Sequence, residues 1–160
     1  MKAVAHKWAA AAYSGFAMPN DWQKWADSKI EQSEVPDNWV IALSLAKTED
    51  QLTGALRDRL REEELAYGNR IYIGNTKLGY LYWMFKQGRF SVVQFLKAAG
   101  IEADCGTGDL DCEDVYAILN ELKLRQDQGA NHDDLLTKID LIFHPYIKIA
   151  QAQWKELGFA

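Results

Sequence analysis

The chain is poor in the residues that most often announce a chemistry: two cysteines, three histidines and three prolines among 160 residues. Cys105 and Cys112 stand seven positions apart in one acidic stretch, and two thiols build neither a disulfide framework nor a four-ligand zinc site. They read as reduced thiols of a cytoplasmic protein. No apolar run approaches the roughly 18 residues of a membrane span. The alanine-rich start carries Lys2, His6 and Lys7 with no cleavage site, so neither membrane insertion nor export is expected. Nucleophile elbow, phosphate loop and zinc-protease signature are all missing, as are internal repeats. Positive charge is also scarce, at 18 bases against 23 acids. The second helix of the one helix-turn-helix-like stretch offers only Lys97, and its turn only Lys86 and Arg89. No nucleic-acid partner is expected from so little basic surface.

What the chain does have is apolar bulk. Hydrophobic residues make up 48% of it, six of them tryptophan, and its length suits one domain, residues 1–160, with a sizeable core. The densest apolar run lies at 71–100. Leu78, Tyr80, Leu81, Tyr82, Trp83, Met84 and Phe85 leave almost no polar face, the pattern of a helix buried on most sides. Val92, Val93, Phe95, Leu96 and Ala99 form a second stripe, with Gly100 placed to end it. These predict a central helix pair over residues 76–86 and 91–99.

The remaining stretches also carry helical spacing. Val4, Trp8, Ala11 and Ala12 repeat on one face, and Gly15 follows as a stop. Pro19 suits a first helical turn before Trp22, Trp25, Ala26 and Ile30. Pro36, Asp37 and Asn38 open a third helix whose expected inward residues are Trp39, Ala42, Leu43 and Ala46. Thr48 and Gln51 match a capping box. It heads a helix with Leu52, Leu56 and Leu60 inward and Arg57, Arg59, Arg61, Glu62, Glu63 and Glu64 outward. Ile71, Tyr72 and Ile73 suggest a short extended piece. Asp111 and Asp114 are placed as caps for a helix buried through Val115, Ile118, Leu119 and Leu122. Asn131 is a cap for a last stripe running from Leu135 to Trp154, which Pro145 should kink or divide. The expectation is all-α: a single-domain bundle of about seven or eight helices around the central pair.

Charge is distributed unevenly. Residues 101–134 hold ten acids against Lys123 and Arg125, a regional charge of −8, while the rest of the chain is +3. Asymmetry of this kind bears on partners rather than on fold. The candidate partner-binding residues are Asp104, Asp109, Asp111, Glu113 and Asp114. They do not form a calcium loop, which needs alternating acids, glycine at the sixth position and glutamate at the twelfth. Counted from Asp104, the third and fifth positions are Gly106 and Gly108; counted from Asp109, the sixth is Asp114 and the twelfth Asn120. His132 with Asp133 suggests a metallophosphohydrolase pair, but His6, the only earlier histidine, has no ligand-like neighbours. His144 lies one turn after Asp140, where an ion pair is the expected meaning.

Three stretches carry a resemblance: Asp21, Trp22, Trp25 and Ala26; WVIALSLA from Trp39 to Ala46; and LGYLYWMFKQGRFSVVQFLKAAGIEAD from Leu78 to Asp104. Over residues 8–125 their hydrophobic and glycine pattern resembles a family of small bacterial helical proteins that look like immunity proteins of polymorphic and contact-dependent growth inhibition toxins. The resemblance implies a cytoplasmic protein that binds and neutralises a cognate toxin domain, with no catalytic residue, metal or cofactor. It assigns no interface, so the acidic surface is read from this sequence alone. The alternative is a metal-dependent hydrolase using the acidic loop with His132 or His144.

Overall fold

The computed structural model describes residues 2–160. Among the described residues the chain is all-α, with eight helices: α1 Val4–Tyr13, α2 Pro19–Glu31, α3 Asn38–Leu45, α4 Glu49–Tyr67, α5 Gly74–Lys86, α6 Val92–Cys105, α7 Cys112–Asp127 and α8 Asp133–Glu156. None of these helices is long and apolar enough to cross a membrane. The chain divides into two compact units, one of residues 1–71 with 153–160 and one of residues 72–152.

The first unit is built on Trp8, which is fully buried. Its ring meets Trp25 edge-on at 5.6 Å, Trp154 at 6.0 Å and Phe159 at 5.9 Å. Around it α1 is polar only at His6, Lys7 and its terminal Tyr13, and Ala9, Ala10, Ala11 and Ala12 are all buried, as a helix with so little polar face must be. α2 starts with Pro19 in its first turn, and the Asp21 carboxylate accepts the Met18 amide at 2.8 Å. α3 buries Val40 and Leu43, and the Ala46 carbonyl at its end accepts the indole N–H of Trp22 at 2.8 Å. That face differs from the expected one: Trp39 is half-buried and Ala42 exposed, because Val40, Leu43 and Ala46 share one side of this short helix. At α4 the Thr48 hydroxyl accepts the Gln51 amide, while the Gln51 side chain reaches the Lys47 amide instead of returning to Thr48. Half of the capping box therefore forms as expected and half shifts by one residue.

The second unit is built by the aromatic run. α5 buries Leu78, Tyr80, Leu81, Tyr82 and Met84, and α6 buries Phe95, Leu96 and Ala99. Phe95 lies between Tyr82 at 5.5 Å, Phe85 at 5.2 Å and Phe143 of α8 at 4.8 Å. Each such side chain, once fully buried, contributes roughly 1.5 to 3 kcal/mol of transfer free energy. Ile71, Tyr72 and Ile73 form no strand; Ile73 is the residue before α5. α6 does not stop at Gly100 but continues to Cys105, and Gly100 is buried with the Tyr116 ring against it. A Cβ there would lie 2.5 Å from that ring. The glycine admits a neighbouring helix rather than ending its own. α8 is likewise undivided at Pro145. The carbonyl deprived of a donor belongs to Leu141, and Leu141 and Pro145 are both exposed, so water can satisfy it. α7 buries Val115, Ile118, Leu119 and Leu122 as expected, and Asn131 accepts the Asp133 amide at 2.8 Å at the start of α8.

Candidate functional site

The acidic segment joins α6 to α7. Because α6 runs on to Cys105, Asp104 sits on a helix rather than in a loop. The connection that follows is held against the start of α5. Thr107 accepts the Gly74 amide at 3.3 Å, and Asn75 is bonded to Asp109 twice. Its side-chain amide donates to the Asp109 carboxylate at 2.8 Å, and its oxygen accepts the Asp109 amide at 2.9 Å. Asp111 then caps α7 by accepting the Glu113 amide at 2.9 Å.

All five candidate carboxylates, Asp104, Asp109, Asp111, Glu113 and Asp114, are exposed. Asp104, Asp111 and Glu113 gather about the Cys112 thiol, which donates to Asp104 at 3.7 Å. Partial burial first, and then these carboxylates, push that thiol above its ordinary pKa. It stays protonated near neutrality, the opposite of what a nucleophilic cysteine needs. Tyr116 is pushed up in the same way, by burial and then by Asp104. Asp109 differs from the other four, since its carboxylate is engaged by Asn75. Glu102 is turned aside into an ion pair with Lys77.

The histidines do not join this group. Among the described residues, no three His, Cys, Asp or Glu side chains are placed to hold a metal ion. Asp140 takes its hydrogen bonds from Tyr82 and Lys86 of α5, and His144 bears on it only through its charge. The expected Asp140–His144 pair is thus replaced by a contact between α8 and α5, because Asp140 lies over the polar tips of that helix.

A buried ion-pair network forms on Glu63. This residue, expected to face outward, is only 4% exposed. Its carboxylate accepts the amides of Ala5 at 2.9 Å and His6 at 3.1 Å and lies 2.8 Å from His6 Nδ1, with Arg59 Nε at 3.5 Å. α1 has no side-chain cap of its own, so Glu63 satisfies its orphan amides from a distance. A signal was present: Glu63 stands eleven residues after Leu52 and seven after Leu56, on the same helical face. With His6 itself only 6% exposed, the group is a structural clamp. Comparison with protein-family profiles, with curated proteins and with solved structures finds no match to this chain.

Proposed function

We propose that this chain is an immunity protein: a cytoplasmic helical module that binds one bacterial toxin domain and neutralises it without performing a reaction or using a cofactor. The observation that carries the reading is the gathering of Asp104, Asp111 and Glu113 about one point, with Asp114 exposed in the same first turn of α7. These carboxylates ride on helix ends, and the connection between them is pinned by Asn75 and Thr107. Charge held in this way loses little conformational freedom on binding. It is complementary to the basic cleft of an enzyme that acts on an anionic substrate, where it would speed association and compete for the site. The resemblance over residues 8–125 points in the same direction.

The test is a titration against the toxin domain encoded beside this chain, at low and moderate salt. Glu113→Gln with Asp114→Asn removes two exposed charges while leaving the Asp111 cap and the Asn75–Asp109 bonds intact. Weaker binding and a flatter salt dependence are expected, with an unchanged helical CD signal. Equal affinities and equal salt slopes would move the interface elsewhere. Failure of the unmodified protein to form any complex would end the immunity reading.

A further inference from the structure

α3 is a short helix with no charged residue, NWVIALSL. A helix apolar on all sides is normally enclosed, but this one is covered on one side only. Ile41 and Leu45, one turn apart, are 39% and 70% exposed, and Val35 just before the helix is 85% exposed. The first unit thus presents an apolar ridge.

Two concavities flank that ridge and share Trp39 and Asp37. Toward α2 lies a chamber of about 320 Å³ walled mainly by Val4, Trp25, Val35, Pro36, Trp39 and Val40, with Lys29, Ser33 and Asp37 completing the lining. Toward α4 lies one of about 470 Å³, where Asp37, Asp58, Glu62 and Arg59 surround Trp39 and Ala42. Its single cation is already committed: Arg59 is 3.0 Å from Glu62 and 3.5 Å from Glu63, and its guanidinium carbon lies 5.9 Å from the centre of the Trp39 ring. Asp37 and Asp58 have no salt-bridge partner among the described residues. The α2-side chamber is thus mainly apolar, with Lys29 lying 5.9 Å from the centre of the Trp25 ring as its one cation, while its neighbour carries uncompensated negative charge.

We propose that α3 and the two chambers beside Trp39 form a docking socket for a protein partner presenting an aromatic or branched aliphatic side chain next to a lysine or arginine. The apolar anchor lies in the α2-side hollow against Trp25, Val35 and Trp39, since aromatic and aliphatic anchors carry much of an interface's energy. The basic side chain enters the α4-side chamber, meeting Asp37 and Asp58 with the Trp39 ring beside them, an arrangement that favours cations. The acidic lining gives the sign of the partner and disfavours a nucleic acid. A peptide also fits better than a hydrocarbon chain. A hydrocarbon chain would leave Asp37 and Asp58 without a counter-charge, whereas a basic peptide supplies one. This socket belongs to the first compact unit and the acidic α6–α7 segment to the second, so the proposal does not depend on the toxin-neutralising reading.

The test needs no natural partner. Two capped dipeptide amides, Phe-Lys and Phe-Glu, are titrated into the full chain to about 10 mM, a range suited to ligands this small. The six tryptophan indole N–H signals are followed by NMR and assigned with Trp25→Phe and Trp39→Phe. Phe-Lys is expected to move the Trp25 and Trp39 signals selectively and to bind about fivefold more tightly than Phe-Glu, the size of effect expected of exposed charge pairs. Val35→Asp, which spoils the apolar anchor site, should weaken binding of both peptides, and Ala42→Arg, which puts a cation at the α4-side chamber, should abolish the preference; both positions are exposed, so the thermal midpoint should stay unchanged. Unmoved signals, equal response to the two peptides, or uniform movement of all six signals would overturn the proposal. So would the same selective shifts on raising the protein concentration alone, which would make the occupant a second copy. Selective shifts with a short-chain phospholipid and none with Phe-Lys would make it a lipid.

Discussion

Glu63 accepts the backbone amide of Ala5 at 2.9 Å across 58 residues of sequence, so the start of α1 is capped by a carboxylate from the far end of α4. Replacing Glu63 with alanine strands the Ala5 and His6 amides and the His6 ring in a buried place. Each unpaired group costs about 1 to 3 kcal/mol, and partial relaxation brings the expected total loss to about 2 to 4 kcal/mol. Its neighbour Glu62 pairs with Arg59 at the surface, so Glu62→Ala should cost less than about 1 kcal/mol. Urea denaturation midpoints of the two variants make the comparison, and similar midpoints would mean that the clamp contributes nothing.

Gly79 and Gly100 both admit a neighbouring helix, but the neighbours differ in how far they can yield. At Gly79 a Cβ would overlap the backbone carbonyl of Tyr146, whereas at Gly100 it would press on the ring of Tyr116, which is half-buried and can turn. Alanine gains about 1 kcal/mol of helix propensity over glycine at either position, and overpacking costs about 1 to 3 kcal/mol. Gly79→Ala should therefore lower the thermal midpoint clearly and Gly100→Ala hardly at all. The reverse order would show that α5 and α8 are not packed as described.

The Tyr82 hydroxyl bonded to the Asp140 carboxylate gives a pH signature. The Tyr82 bond first, and then Lys86, hold Asp140 below the ordinary carboxylate range. A carboxyl group depressed by folding adds stability above its unfolded pKa and loses it as pH falls through the lower folded value. The destabilisation caused by Tyr82→Phe should therefore be larger near pH 7 than near pH 2, toward which Asp140 gains its proton. Guanidinium unfolding at the two pH values measures it. A difference that does not change with pH would place the loss in packing alone.

The two thiols should separate by reactivity. Cys105 is exposed, whereas Cys112 is half-buried and held protonated by its surroundings. Iodoacetamide at neutral pH, followed by mass spectrometry, should label Cys105 first. Asp104→Asn removes the nearest carboxylate from Cys112 and should speed its labelling, since the thiolate is the reacting form. An unchanged rate would show that burial alone governs this thiol.

The sequence by itself determined an all-α bundle of about seven or eight helices and most helix starts, because these follow from near-neighbour physics. Val115, Ile118, Leu119 and Leu122 share a face through helical spacing alone, and Asp111 and Asn131 bond amides two residues away. It also determined that Asp104, Asp109, Asp111, Glu113 and Asp114 would be exposed, since a charge is costly to take out of water. Tertiary structure decided what spacing along the chain does not encode. Glu63 turned inward because another helix brought it unsatisfied amides. Gly100 lies within α6 with the Tyr116 ring in the space a side chain would fill, and Asp109 was drawn aside by Asn75. Helical periodicity names the face a residue occupies; what lies opposite that face depends on residues some 30 to 60 positions away, as the Asn75–Asp109 and Ala5–Glu63 separations of 34 and 58 show.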